Sequence, residues 1–262
     1  MNQQSSTNNK LTIGWVYPDL MSTYGDRGNI EVLLKRCQRR EIDISIERIN
    51  IDSEIDKLNS CNLIFMGGAQ DRQQKLVGKD FISVKGPIIK KLLDKGIPAL
   101  FVCAAYQFVG HYYQPYQGEK IMGAGIFDLY TEHLGDQAKR LVGNVVAEII
   151  PNTEFTIFNK SKMIVGFENH GGRTYLGKGL RPFAKVIKGY GNNGEDGEEG
   201  AIYKNAIGSY FHGPILPKNP HIADWLIKKA LMVKYQKEIE FKPLDDTLEW
   251  QAHNFILKRF GL

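Results

Sequence analysis

The sequence predicts an α/β fold: a central, mainly parallel sheet flanked by helices, with an antiparallel extension in the second half of the chain. Three observations predict it. Short apolar runs alternate with amphipathic stretches up to about residue 107, the pattern of consecutive β-α units. From about residue 119 onward, Gly-punctuated strands at hairpin spacing replace the helices, which favours antiparallel pairing. Between the two regimes, residues 96–107 read Gly-Ile-Pro-Ala-Leu-Phe-Val-Cys-Ala-Ala-Tyr-Gln, a buried strand running through Cys103 into a helix.

Composition bounds the rest. The 262 residues are 42% hydrophobic and 24% charged, an ordinary globular balance with material for a sizeable core. No run approaches the roughly 18–20 apolar residues of a membrane span, and the start is polar with no signal-type apolar region. A cytoplasmic protein is expected, with a flexible head over residues 1–10 and one domain over residues 11–262. The net charge of +5 is spread thinly, so nucleic acid is not called for. Cys37, Cys61 and Cys103 are widely spaced with no C-x-x-C, suggesting neither a disulfide framework nor a metal site.

In chain order, residues 11–17 read as a strand, followed by a loop and a helix in which Ile30, Leu33, Leu34 and Cys37 form the buried face while Lys35, Arg36, Arg39 and Arg40 face water. Strands follow at residues 44–49 and 63–66, the latter ending in Gly67-Gly68, then helices at about 70–82 and 87–95 before the Cys103 strand. In a parallel sheet ligands bind at the C-terminal strand ends, and Asp26, Gly67-Gly68 and Cys103 all lie at such ends. Further strands are expected at 141–149, 162–167, 183–190, 200–204 and 206–211. Residues 189–200, with acidic side chains set among glycines, read as an exposed turn rather than a metal site. Helices over 217–235 and about 247–260 close the chain.

Cys103 is the candidate nucleophile. At a sharp strand-to-helix turn a thiol stands clear of the sheet, and a helix N-terminus favours the thiolate; a plain buried core cysteine is the alternative. His212, in Phe211-His212-Gly213-Pro214 at the end of the last predicted strand, is placed as the base such a thiol needs. Gly68, after a strand, and the Ala104 N–H are candidate oxyanion donors, although a Gly-Gly pair there is also simply a tight turn. Asp26 is a candidate orienting carboxylate for the histidine and equally a helix N-cap.

Together these motifs resemble the class I (triad) glutamine amidotransferases, in the cobyric-acid-synthase-like branch: Cys103 with Gln107 four residues on, the Gly67-Gly68 loop, Gly-Phe-Glu-Asn-His-Gly-Gly-Arg-Thr at 166–174, and Phe-His-Gly-Pro at 211–214. Residues 24–29, Tyr-Gly-Asp-Arg-Gly-Asn, and 210–219, Tyr-Phe-His-Gly-Pro-Ile-Leu-Pro-Lys-Asn, are similar to the amidotransferase subunits of lipid II isoglutaminyl synthases, and the likeness extends from about residue 11 to 255.

The resemblance implies a three-layer amidotransferase fold and a glutaminase that releases ammonia through a Cys103 thioester. The ammonia would pass, within a heterodimer, to a Mur-ligase-like ATP-dependent subunit that amidates D-glutamate of the lipid II stem peptide. Cobyrinic or cobyric acid amidation and an impaired scaffold are the alternatives. ATP and magnesium would belong to the partner, this chain needing no cofactor. Arg140 matches a glutamine-binding arginine of the family, and Gly67, Gln107 and His170 are further candidates for the substrate site. Two departures stand out. Pro214 occupies the position where the family usually places an acid two residues after the histidine, and Ala104-Ala105 replaces the usual Gly-Gly, at an expected cost of roughly 1 kcal/mol should either residue adopt φ > 0 or come into close helix–strand contact.

Overall fold

The computed structural model describes residues 9–151 and 161–262, so most of the expected flexible head lies outside the described residues. The elements in chain order are β1 (Lys10–Val16), α1 (Arg27–Gln38), β2 (Asp43–Ile49), α2 (Ile55–Asn59), β3 (Leu63–Met66), α3 (Asp71–Asp80), α4 (Gly86–Asp94), β4 (Ala99–Val102) and α5 (Ala104–Phe108). They are followed by β5 (Tyr112–Gln114), β6 (Ile121–Met122), β7 (Leu129–His133), β8 (Leu141–Ile149), β9 (Met163–His170), β10 (Gly172–Leu176), β11 (Ala184–Lys188), β12 (Glu198–Glu199), β13 (Ala201–Tyr203), β14 (Ala206–Ser209), α6 (Pro220–Tyr235) and α7 (Thr247–Arg259). No helix among the described residues is long and apolar enough to cross a membrane.

The main sheet has six strands in the order β13-β14-β4-β3-β1-β2, parallel throughout except for β13. Its middle strands β3, β4 and β14 are buried at every position, which is why they read as continuous apolar runs instead of alternating ones. Register brings Val16 beside Met66, Met66 beside Phe101, and Val102 beside Ser209. The segments leaving β1, β3, β4 and β14 therefore emerge along one edge of the sheet.

Two further four-stranded sheets, β10-β7-β5-β6 and β12-β11-β8-β9, make the extension. Pairing there is antiparallel apart from β5 with β7. The short strands β5, β6, β7, β10 and β12 were not foreseen, and β14 departs from the antiparallel expectation by joining β4 in parallel. An isolated bridge ties β9 to the site edge: the His212 N–H donates to the Phe167 carbonyl at 2.7 Å and the Phe167 N–H to the His212 carbonyl at 3.3 Å.

Of the charged face expected on α1, Lys35 and Arg39 are exposed, but Arg36 and Arg40 are corrected. Arg36 is buried, donating to Asp224 of α6 at 2.6 Å and to Asp246 before α7 at 2.7 Å, and Arg40 also reaches Asp224 at 2.8 Å. Burial works against the Arg36 charge, but the two carboxylates hold its pKa above the ordinary value. Helical periodicity cannot reveal such a cluster, because its acids come from the far end of the chain. The acidic turn at 189–200 is likewise only partly exposed. Asn192, Asn193 and Glu199 are buried, Glu199 accepting from the Ser209 hydroxyl at 2.6 Å and the Tyr210 N–H at 2.9 Å.

Candidate active site

Cys103 directly follows β4, and its own backbone makes the turn, with φ 53° and ψ −106°. A side chain there is strained by of order 1–3 kcal/mol, so the surrounding structure must impose the conformation. Part of that structure is the Cys103 N–H, which donates to the Ser209 carbonyl of β14 at 2.8 Å. The backbone strain falls on Cys103; Ala104 and Ala105 keep negative φ, so no positive-φ penalty arises at them. The Ala104 N–H, at the first position of α5, has no acceptor among the described residues.

His212 and Asp26, 186 residues apart, are both fully buried, with His212 Nδ1 3.3 Å from Asp26 Oδ1. Asp26 occupies the N-cap position of α1, but its side chain makes no capping hydrogen bond there. A carboxylate facing Nδ1 fixes the proton on that nitrogen and leaves Nε2 for chemistry. No aligned hydrogen bond satisfies Nε2, and the facing Cys103 acts on the ring through its charge and a loose thiol contact. Burial alone would lower the imidazole pKa; Cys103 and Asp26 outweigh it and raise the pKa to about 10. The ring of Tyr24 packs edge-on over His212 at 5.0 Å between centroids.

Asp26 has a second task. Its Oδ2 accepts the Gly68 N–H at 2.6 Å, so that N–H is not the free oxyanion donor expected of it. Gly67 is corrected too: it packs against the Met21 carbonyl and Asp26 and is absent from the cavity wall. The demand for glycine here is steric, since a Cβ on Gly68 would lie 2.8 Å from His212 Cε1. The next residue, Ala69, does line the cavity, and its N–H has no acceptor among the described residues.

Cys103 opens onto a cavity of about 330 Å³ whose walls include Tyr24, Gln74, Gln107, Tyr113, Arg140 and His170. Gln107 is buried rather than on a helix surface, donating to the Tyr210 hydroxyl at 3.1 Å and accepting from Gln74 at 3.3 Å. The Arg140 Nε donates to Asn169 Oδ1 at 2.6 Å and Nη2 to the Asn169 carbonyl at 3.1 Å, and no carboxylate among the described residues neutralises it. His170 is stacked flat on Tyr210 at 3.7 Å, with Nδ1 2.8 Å from the Gly172 carbonyl. Burial drives its pKa down to about 3, so it is neutral with Nε2 an unpartnered acceptor. Glu168 stands behind the wall, accepting the Tyr190 and Gly191 N–H groups at 2.8 and 2.9 Å. Among the described residues no group of three or more His, Cys, Asp or Glu is placed to hold a metal ion.

The sequence reading missed Gln74, Tyr113 and Asn169 as parts of this wall. Tyr113 lies on an unforeseen strand, Gln74 carries no motif, and Asn169 sits inside the noticed 166–174 run without a role having been given to it.

A strained cysteine after a parallel strand, backed by a buried His–Asp pair, is the arrangement of a thiol-dependent amide-cleaving enzyme. Residues 12–220 match the CobB/CobQ-like glutamine amidotransferase domain, and the chain belongs to that family. More particularly, it is 40% identical to the GatD subunit of the glutamine-hydrolysing lipid II isoglutaminyl synthase of Staphylococcus aureus strain N315, over 95% of this chain and 96% of that one. The same subunit of Streptococcus pneumoniae strain R6 is 35% identical over 91% and 87%. The probable cobyric acid synthase of Methanosphaera stadtmanae is 28% identical over 79% of this chain but only 39% of its own length. Among solved structures, PurLQS from Thermotoga maritima shares the fold, with a TM-score of 0.56 at 18% identity over 88% of this chain and all of the matched one.

Proposed function

We propose that this chain is the glutaminase subunit of a lipid II isoglutaminyl synthase, supplying ammonia to a Mur-ligase-like partner in a cytoplasmic heterodimer. The observation that carries the activity is the buried Asp26–His212 pair facing Cys103 at the floor of the cavity. The likeness to two GatD subunits over nearly their whole length supports the acceptor. The cobyric acid synthase relative, by contrast, contains the matching part as less than half of a longer chain.

In this mechanism the Cys103 thiolate attacks the side-chain carboxamide carbon of L-glutamine, and the carbonyl electron pair moves onto oxygen. The unpaired N–H groups of Ala104 and Ala69 are the donors available to that oxyanion. As the C–N bond breaks, His212 gives its Nε2 proton to the departing nitrogen, releasing ammonia and leaving a thioester. Water then attacks the thioester, yielding a proton to His212, and glutamate departs as the thiolate is restored. Asp26 holds the imidazole ring in place through both states, and Arg140 grips the substrate α-carboxylate. ATP and magnesium serve the partner, which activates the carboxylate to be amidated. The geometry favours activity over a scaffold role, because Ala104 and Ala105 avoid positive φ and Asp26 offers His212 a carboxylate that Pro214 cannot.

The test is alkylation by 6-diazo-5-oxo-L-norleucine, read by intact mass in the presence of the Mur-ligase-like subunit. One adduct on the wild type, absent from Cys103→Ala and slowed in His212→Ala, is expected, together with glutamine-dependent amidation of lipid II. An unmodified wild-type complex would defeat the proposal.

A further inference from the structure

The cavity carries charges of both signs. Arg140 and Arg72 are its cations, and Asp71 is the only carboxylate among its lining residues. Asp71 opens α3, and its carboxylate makes neither a side-chain hydrogen bond nor an ion pair among the described residues. Tyr113 on the cavity wall and the neighbouring His133 each feel Asp71 and Arg140 with opposite sign, so both charges act on the same space. One turn along α3, Gln74 is buried, and its Oε1 has no partner even though its Nε2 is held by Gln107. Three residues apart on α3, a free carboxylate and an orphaned amide oxygen thus line the same cavity as the thiol.

A free amino acid is a zwitterion. The glutaminase reading, on which this inference rests, gives its α-carboxylate to Arg140 and its carboxamide to Cys103, leaving the α-ammonium to be matched. The other acceptors at hand are neutral, and the Asn169 Oδ1 is already taken by Arg140. We infer that Asp71 is a specificity residue that binds the substrate α-ammonium, with Gln74 Oε1 as its neutral second acceptor. The site then selects free glutamine over peptide-bound glutamine, whose α-nitrogen is uncharged, and over the des-amino analogue glutaramate.

The experiment compares L-glutamine with glutaramate in the enzyme assembled with its synthetase subunit, for the wild type and for Asp71→Asn. Because Asp71 is exposed, the substitution leaves the core untouched. A charge-assisted contact is expected to make the wild type prefer glutamine by about 10- to 100-fold in kcat/KM. Asp71→Asn should abolish most of that preference through KM for glutamine while leaving glutaramate turnover near the wild-type rate. An unchanged preference in Asp71→Asn would overturn the inference. The same ratio is read independently of turnover as calorimetric binding to Cys103→Ala with and without Asp71→Asn. Failure of the wild type to hydrolyse glutamine, with discriminating binding still lost in Asp71→Asn, would overturn the proposed function alone. No glutamine binding at all would overturn both.

Discussion

Asp26 accepts the Gly68 N–H at 2.6 Å through one carboxylate oxygen while the other faces His212. The residue that orients the base thus also sets the glycine turn beside the base, and the two cannot be adjusted separately. Asp26→Asn can keep the contact to Gly68 only by turning its amide NH₂ toward Nδ1, which favours the wrong imidazole tautomer. Glutaminase kcat should fall by about 10²- to 10⁴-fold with little change in KM, as expected for an orienting carboxylate. Steady-state kinetics would check this, with a thermal melt to show that the variant folds.

The His212 pKa, raised from 6.5 to about 10, makes stability depend on pH. Between these values the folded protein keeps a proton on His212 that the unfolded chain has released. Its contribution is therefore fully present below about pH 6.5 and lost as pH rises through about 10. The difference in melting temperature between wild type and His212→Gln should narrow across that window. Cys103→Ser removes the largest upward influence on His212 and should flatten the trend.

The turn at Cys103 sets function against stability. Its φ of 53° suits glycine, so of two variants that both lack the thiol, Cys103→Gly should be more stable than Cys103→Ala by about 1 kcal/mol. Urea denaturation of the pair would measure the difference, and equal midpoints would place the strain elsewhere.

Removing Arg36 leaves Asp246 buried without a cation and Asp224 with Arg40 alone. Arg36→Met should therefore cost about 3–5 kcal/mol of unfolding free energy, far more than loss of an exposed pair. Equilibrium denaturation would give the value. The loss should include release of the segment leading into α7, visible as faster amide exchange there.

Much of the sheet was legible because its strands are buried on both faces: residues 63–66 and 99–102 could be nothing but strands, and Cys103 ended one of them. His212 was legible from Gly213-Pro214, which stops regular structure. The extension was harder to read. Strands of two to five residues such as β5 to β7 carry too short a period to register and take their shape from the sheet they join. Polar residues buried by partners on other elements, namely Arg36, Asn192 and Glu199, looked like surface because no local pattern marks those partners. The pairing of Asp26 with Gly68 in place of a capping hydrogen bond depends on where β1 and β3 lie in register, which no local pattern encodes.

The three groups aligned at the sheet edge come from the early, middle and late parts of the chain, and β14, next to β4, is the last of the parallel strands to be synthesised. A nascent or truncated polypeptide ending before β14 therefore carries Cys103 with no imidazole beside it and no Ser209 carbonyl to hold the turn. The order of the strands thus makes assembly of the Asp26–His212–Cys103 group wait on the last parallel strand.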